Sequence, residues 1–232
     1  MKNQILKDKE LAKTLTQIVT SADPRAEFYE KYDGAFKDAL DALIPEIPIA
    51  IKTEQRSIWH IYPVFDHILE TIKEINRLSC NLKKDEQKIL SFIMLFHDLG
   101  KPACKKEKIK NGKICDTFHG HNVESEKIAR RVLPHLDFSS NLDIMCKLIL
   151  DHDFFIAVSE NCFENVEKRL EIISNAVEKK ISDLNAFGDG KHLMYLLCLI
   201  GIADNLAQNR VLSSATTEVI KDALSILKNS HM

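Results

Sequence analysis

The sequence predicts an all-α protein, a helical bundle with one short β-hairpin inserted in it. Three observations lead there. Apolar residues recur at helix-face spacing, as in Phe65, Ile68, Leu69, Ile72 and Ile75. Few segments alternate with period two, the mark of a half-buried strand. The 232 residues include only 7 Gly and 6 Pro, so breaks between helices are sparse.

The elements follow in order. Residues 1 to about 45 read as two helices separated by Ser21-Ala22-Asp23-Pro24, a cap on the main bundle. Ile44-Pro45-Glu46-Ile47-Pro48 reads as an extended connector, because each proline disfavours helix in the residue before it. Helices are expected over about 62–78 and about 85–97, the second stopped by Gly100 with Pro102 against its resumption. Residues 101–120 form the one non-helical insert, with Asn111-Gly112 as a hairpin turn. A further helix starts near Asn122, as N-cap, and ends near 134–135. The last helices are expected over about 141–152, 163–179, 192–208 and 216–228. The expected division is an N-terminal helical extension, 1–50, and a main domain with C-terminal helices, 51–232.

Composition narrows the function. Hydrophobic residues make up 45% and charged residues 28%, the balance of a soluble globular protein. A net charge of -2 offers no basic footprint for long nucleic acid. The longest apolar run, 193–203, is too short to span a bilayer, so no membrane partner is expected. The first twenty residues read as an amphipathic helix rather than a signal peptide. Six scattered cysteines without a paired motif read as reduced thiols, and a cytoplasmic location is expected.

His97-Asp98 is the most informative pair. It lies in Phe96-His97-Asp98-Leu99-Gly100-Lys101-Pro102, where an apolar helix stops. A charged carboxylate there is costly unless something pairs with it. A metal ion is a partner that also takes the adjacent imidazole. His67 lies upstream, His121 and His152 downstream and Asp204 further on, each on or beside an expected helix. Facing helices of a bundle can bring such side chains to one point.

Taken singly, each has a plainer reading. A lone helical His such as His67 is more often packed in a core or on a surface. His152 emerges from the face of Met145, Leu148 and Ile149 and reads plainly as a core imidazole bonded to a carbonyl. Asp151 and Asp153 flank it, and one of them could fix its tautomer. Asp204 shares a face with Leu197, Ile200, Gly201 and Ala207, so it needs a metal, or an Arg or Lys. Phe118-His119-Gly120-His121 offers two histidines: His121 is favoured as ligand and His119 as substrate contact or outer support, with the reverse left open. Lys101 either holds a substrate phosphate or is a solvent-facing Lys at a helix end. The hairpin lysines either steer anionic substrates or form a solvated face. His60, His135, His192 and His231 fit no constellation and read as structural or exposed.

This order of residues resembles the HD-domain superfamily of metal-dependent phosphohydrolases. His67, His97-Asp98 and Asp204 carry the resemblance, and His121 and His152 extend it to the branch with six ligands and two metals. The runs from His60 to His67 and from His97 to Pro102, Phe118-His119-Gly120-His121 with Ser125, and Asp151-His152-Asp153 look closest to the HD domain attached to bacterial tRNA nucleotidyltransferases. The likeness spans roughly residues 57–210. Two departures matter. No Gly-Ser followed by an Asp-x-Asp strand pair occurs, so the nucleotide-adding head domain and its activity are not expected. The Gly-Tyr-Pro motif of the cyclic-di-GMP-cleaving branch is missing as well.

The resemblance implies an HD-domain helical bundle with extra N- and C-terminal helices. It implies that His67, His97, Asp98 and Asp204 hold one metal and that Asp98 bridges to a second held by His121 and His152. One or two divalent ions are expected: Mn, Fe, Ni, Co or Zn, with Mg a weaker fit to so many imidazoles. Asp98 and Lys101 are the expected catalytic residues, and Lys101 and His119 the expected substrate contacts. The implied reaction is hydrolysis of a phosphomonoester or phosphodiester by metal-activated water. The substrate would be a small phosphorylated molecule such as a nucleotide or cyclic nucleotide, or an RNA end. Two alternatives stand beside it: mononuclear nucleotidase action with the first four ligands, and a non-catalytic metal-stabilised ligand-binding or regulatory module. The outer helices could make a homodimer.

Overall fold

The computed structural model describes residues 2–110, 112–164 and 166–229. Its helices are α1 (Lys2–Val19), α2 (Pro24–Lys31), α3 (Gly34–Leu43), α4 (Glu46–Ile51), α5 (Val64–Leu78), α6 (Lys84–Phe96), α7 (Lys101–Cys104), α8 (His121–Val132), α9 (Leu142–Leu150), α10 (Phe154–Glu164), α11 (Arg169–Leu184), α12 (Gly190–Leu206) and α13 (Ser214–Asn229). An antiparallel hairpin of β1 (Lys106–Lys110) and β2 (Lys113–Thr117) lies between α7 and α8. The all-α class with a hairpin insert is therefore the observed one.

The helix α5 is the pivot. Val64, Phe65, Ile68, Leu69, Ile72 and Ile75 repeat at three- and four-residue steps and bury one face against α6 and α12. Helix α12 is apolar nearly all round, with Leu193, Met194, Leu196, Leu197, Leu199 and Ile200 buried, the pattern of a helix enclosed on all sides. Helices α11 and α13 cover its outer side, and α8 and α9 pair beside α6. At the N-terminus α1 packs on α6 and α2 on α5, where Arg25 Nη2 donates to Asp66 at 2.5 Å. One hydrophobic cluster runs through the molecule from Leu11 to Leu227. No helix among the described residues is long and apolar enough to cross a membrane.

Several local expectations are corrected. The N-terminal segment holds three helices, not two: a second break follows Tyr32, where Asp33 caps α3 by accepting from the Gly34 amide at 2.7 Å. Helix α4 begins inside the expected extended connector and runs on to Ile51. Pro48 falls in its first turn, where an amide has no intrahelical partner, and burial of Ile47 and Ala50 outweighs the proline's preference. Pro102 does not forbid helix after Gly100 but sits in the first turn of α7. Helix α8 begins at His121 after Gly120, whose φ is +85, so Asn122 is not the cap. Asn122 Nδ2 donates instead to the Leu150 carbonyl at 2.9 Å.

Helix α10 was not expected. Among its described residues Phe155, Val158, Ser159 and Cys162 are buried, a narrow face in which one of the four is polar. The helix expected over 163–179 is accordingly divided between the end of α10 and α11. Helix α9 stops at Leu150, which leaves His152 in the turn beyond it.

Asn111 of the expected hairpin turn lies outside the described residues, as does His231. Gly112 has φ +72, in the left-handed region that such turns use. The hairpin is tied down through buried Asp116, which accepts from the Arg56 amide at 2.8 Å and from Arg56 Nη2 at 2.7 Å. That guanidinium holds the Asp116 carboxyl down at about 2.

Candidate metal centre

Five segments meet at one point. His67 is on the buried face of α5, His97 and Asp98 follow the end of α6, His121 opens α8, His152 follows α9, and Asp204 is near the end of α12. The turn after α6 lies directly on the first turn of α8. The Gly100 amide donates to Ser125 Oγ at 2.9 Å, and a Cβ on Gly100 would collide with the His121 carbonyl oxygen and the Ser125 amide. Glycine at 100 is thus what lets Asp98 and His121 approach one another.

All four imidazoles are oriented the same way. Nδ1 of His97, His121 and His152 lies 2.7, 2.9 and 2.7 Å from the carbonyl three residues earlier, of Met94, Phe118 and Ile149. Nδ1 of His67 lies 3.4 Å from the Ala207 carbonyl. A carbonyl can only accept, so Nδ1 carries the proton and Nε2 points its lone pair inward.

The Nε2 atoms meet the carboxylates in two groups. His67 Nε2 lies 3.2 Å from Asp98 Oδ2 and 2.9 Å from Asp204 Oδ1. His97 Nε2 lies 3.3 Å and 3.6 Å from the same two oxygens. On the other side, His121 Nε2 is 3.1 Å and His152 Nε2 3.8 Å from Asp98 Oδ1, and the two imidazole nitrogens are 3.1 Å apart. Asp98 therefore gives one oxygen to each group. His67, His97, Asp98 and Asp204 could hold one metal ion, and Asp98, His121 and His152 another.

Electron pairs face electron pairs in both groups. His67 Nε2, His97 Nε2 and both oxygens of Asp98 are buried without a hydrogen-bond partner, the ion pair of Lys101 with Asp98 Oδ2 aside. Such atoms are costly unless a cation satisfies them. Imidazole nitrogen and carboxylate oxygen are the donors that first-row divalent ions take, so the residues fit the metal that the sequence led us to expect. Without an ion a proton takes part of that role. Burial alone would push His97 down, but the carboxylates of Asp98 and Asp204 outweigh it and bring the imidazole up to about 10. His67 is raised against its burial by the same two carboxylates. Burial favours neutral Asp98 and Asp204, yet the surrounding cations hold both well below the usual carboxylate range. Burial pushes His152 down.

The other expected residues fall as follows. Asp204 has no Arg or Lys partner among the described residues; Gln208 Nε2 donates to its Oδ2 at 3.0 Å, which leaves Oδ1 for the histidines. Of the two histidines left open, His121 joins the centre and His119 is exposed outside it. Lys101 is not solvent-facing. It is buried, with Nζ 2.6 Å from Asp98 Oδ2, 3.0 Å from Gln55 Oε1 and 3.1 Å from His60 Nε2. Neither carboxylate beside His152 fixes its tautomer, because the Ile149 carbonyl does.

Two residues were missed. His60 had been set aside, yet it stands beside Lys101 and packs edge-on against His67, with ring centroids 5.5 Å apart. Burial and the Lys101 charge push it down to about 2, so it is neutral. Gln55 carried no signal at all. Both lie between α4 and α5, in a segment without periodicity.

A family model described as HD domain matches residues 64–207. No curated protein matches the chain.

Proposed function

The chain belongs to the HD-domain family, and on that footing we propose that it is a divalent-metal-dependent phosphohydrolase acting on a nucleotide, a cyclic nucleotide or an RNA-end phosphate. One observation carries the reading. Four inward Nε2 atoms and both oxygens of Asp98 converge in a buried centre whose innermost atoms lack partners. Six polar groups placed so in a core destabilise it unless cations satisfy them. The runs from His60 to His67 and from Asp151 to Asp153 further support kinship with the HD domain attached to tRNA nucleotidyltransferases.

His67, His97, Asp98 and Asp204 would hold one ion and Asp98, His121 and His152 the other. Ions in such a donor set polarise a phosphoryl oxygen and acidify water. The chain's own residues do the rest. Asp98 fixes the separation of the two groups by giving each one oxygen. Substrate approaches from the side of His121 and Asp204, whose side chains are each 12% exposed while His97 is fully enclosed. Lys101 Nζ is held by its ion pair with Asp98 and by hydrogen bonds with Gln55 and His60. With Asp98 held by an ion, Lys101 would be able to turn an N–H toward a phosphoryl oxygen, where its charge would stabilise what develops in the transition state. His119, exposed at the entry to α8, is the proposed outer contact to the substrate.

The test is Asp98→Ala. It removes an oxygen from both groups, so metal content and hydrolysis of bis-p-nitrophenyl phosphate or a cyclic nucleotide fall together. Retained turnover in that variant contradicts the assignment.

A further inference from the structure

The two carboxylates beside His152 have different partners. Asp151 accepts from Lys147 Nζ and Lys180 Nζ, each at 3.1 Å, and is thereby tied to α9 and α11. Asp153 turns the other way. Its Oδ2 lies 3.4 Å from His121 Nε2 and its Oδ1 3.4 Å from His152 Nε2, so the carboxylate spans the two imidazoles. With Nδ1 of both rings committed to carbonyls, the groups facing each other across these gaps are all acceptors. A cation among them reconciles the contact.

The first group also sets a carboxylate beside its two histidines. There the carboxylate of Asp204 spans His67 and His97 at 2.9 and 3.6 Å, opposite Asp98 Oδ2. Asp153 is the carboxylate beside His121 and His152 as Asp204 is beside His67 and His97, but it meets the two rings with separate oxygens where Asp204 meets them with Oδ1 alone, and it stands just outside the tight donor set of Asp98, His121 and His152.

We propose that Asp153 is a ligand of the second ion, which gives both ions the same protein donors: two imidazoles, one oxygen of Asp98 and one carboxylate of their own. The proposal rests on the reading that the second group holds an ion. Charge supports it. Asp98 and Asp204 alone leave two dications with a large excess of positive charge in a buried site, and a third carboxylate reduces that excess. Exposure places it as well: the Asp153 side chain is 33% exposed, against 2% for Asp98, so the second ion would be the one nearer the opening.

Calorimetric titration of the metal-free protein with Mn tests this, on wild type, Asp153→Asn and Asp153→Glu, with a thermal melt of each to verify folding. Wild type takes up two ions. Asp153→Asn keeps one at wild-type affinity and binds the other more than about 100-fold more weakly, beyond the roughly 10–100-fold that loss of an outer partner of a ligand costs. Asp153→Glu recovers much of the second affinity. Two ions at wild-type affinity in Asp153→Asn overturn the proposal and leave the two-ion reading intact. Equal loss of both ions also overturns it, since Asp153 does not touch the first group. A wild type that binds only one ion overturns the two-ion reading itself, and this proposal with it.

Discussion

Lys101 Nζ lies 2.6 Å from Asp98 Oδ2, the same oxygen that faces His67 and His97. The ammonium therefore occupies ground that a metal ion contests. Lys101→Met is expected to bind the ion at least as tightly as wild type, because a competing cation is gone. It is also expected to lower turnover by about 10²–10³, the cost of removing one preorganised donor aimed at developing negative charge. Titration with Mn and steady-state kinetics on the same preparation separate the two effects. Weaker metal binding in this variant contradicts the role given to Lys101.

Metal uptake is expected to be pH-dependent in a definite direction. The ligating form of each imidazole has a bare Nε2, yet in the metal-free centre His97 is raised to about 10 and His67 is raised as well. An ion must displace those protons. Below the raised values the proton competes, so apparent affinity climbs as pH rises from about 6 to about 9 and protons are released on binding. Calorimetry in buffers of different ionisation enthalpy counts the protons. An affinity that is flat with pH, with no release, contradicts this picture of the centre.

Gly100→Ala probes how the centre is assembled. The added Cβ meets the His121 carbonyl oxygen and the Ser125 amide, both backbone, so the turn and α8 must separate. Overpacking of this kind costs about 1–3 kcal/mol. It displaces His121, which serves the second group, more than the first. A lower Tm and a weakened second ion are expected; an unchanged melt and unchanged stoichiometry contradict the close approach.

Much of the centre is legible in the sequence alone. His67 and Asp204 each sit on the apolar face of a long periodic helix, and His97-Asp98 closes another, so their convergence follows from packing those faces together. Tertiary choices were harder to read. Which of His119 and His121 enters the centre depends on where α8 begins, and that depends on Gly120 rather than Asn122 as its cap. The different fates of Asp151 and Asp153 depend on Lys180, which α11 brings across from far along the chain. His60 and Gln55 reach Lys101 from an irregular segment whose path no local pattern predicts. Helix α10 was hard to read for another reason: its buried face is narrow and includes the polar Ser159.

The most direct test of the central claim is the divalent-metal content of the purified protein, measured with hydrolysis of bis-p-nitrophenyl phosphate before and after chelation. Two ions per chain are expected, with turnover lost in chelator and restored by Mn or Ni. No bound ion and no turnover after reconstitution, or turnover indifferent to chelator, contradicts a metal-dependent phosphohydrolase.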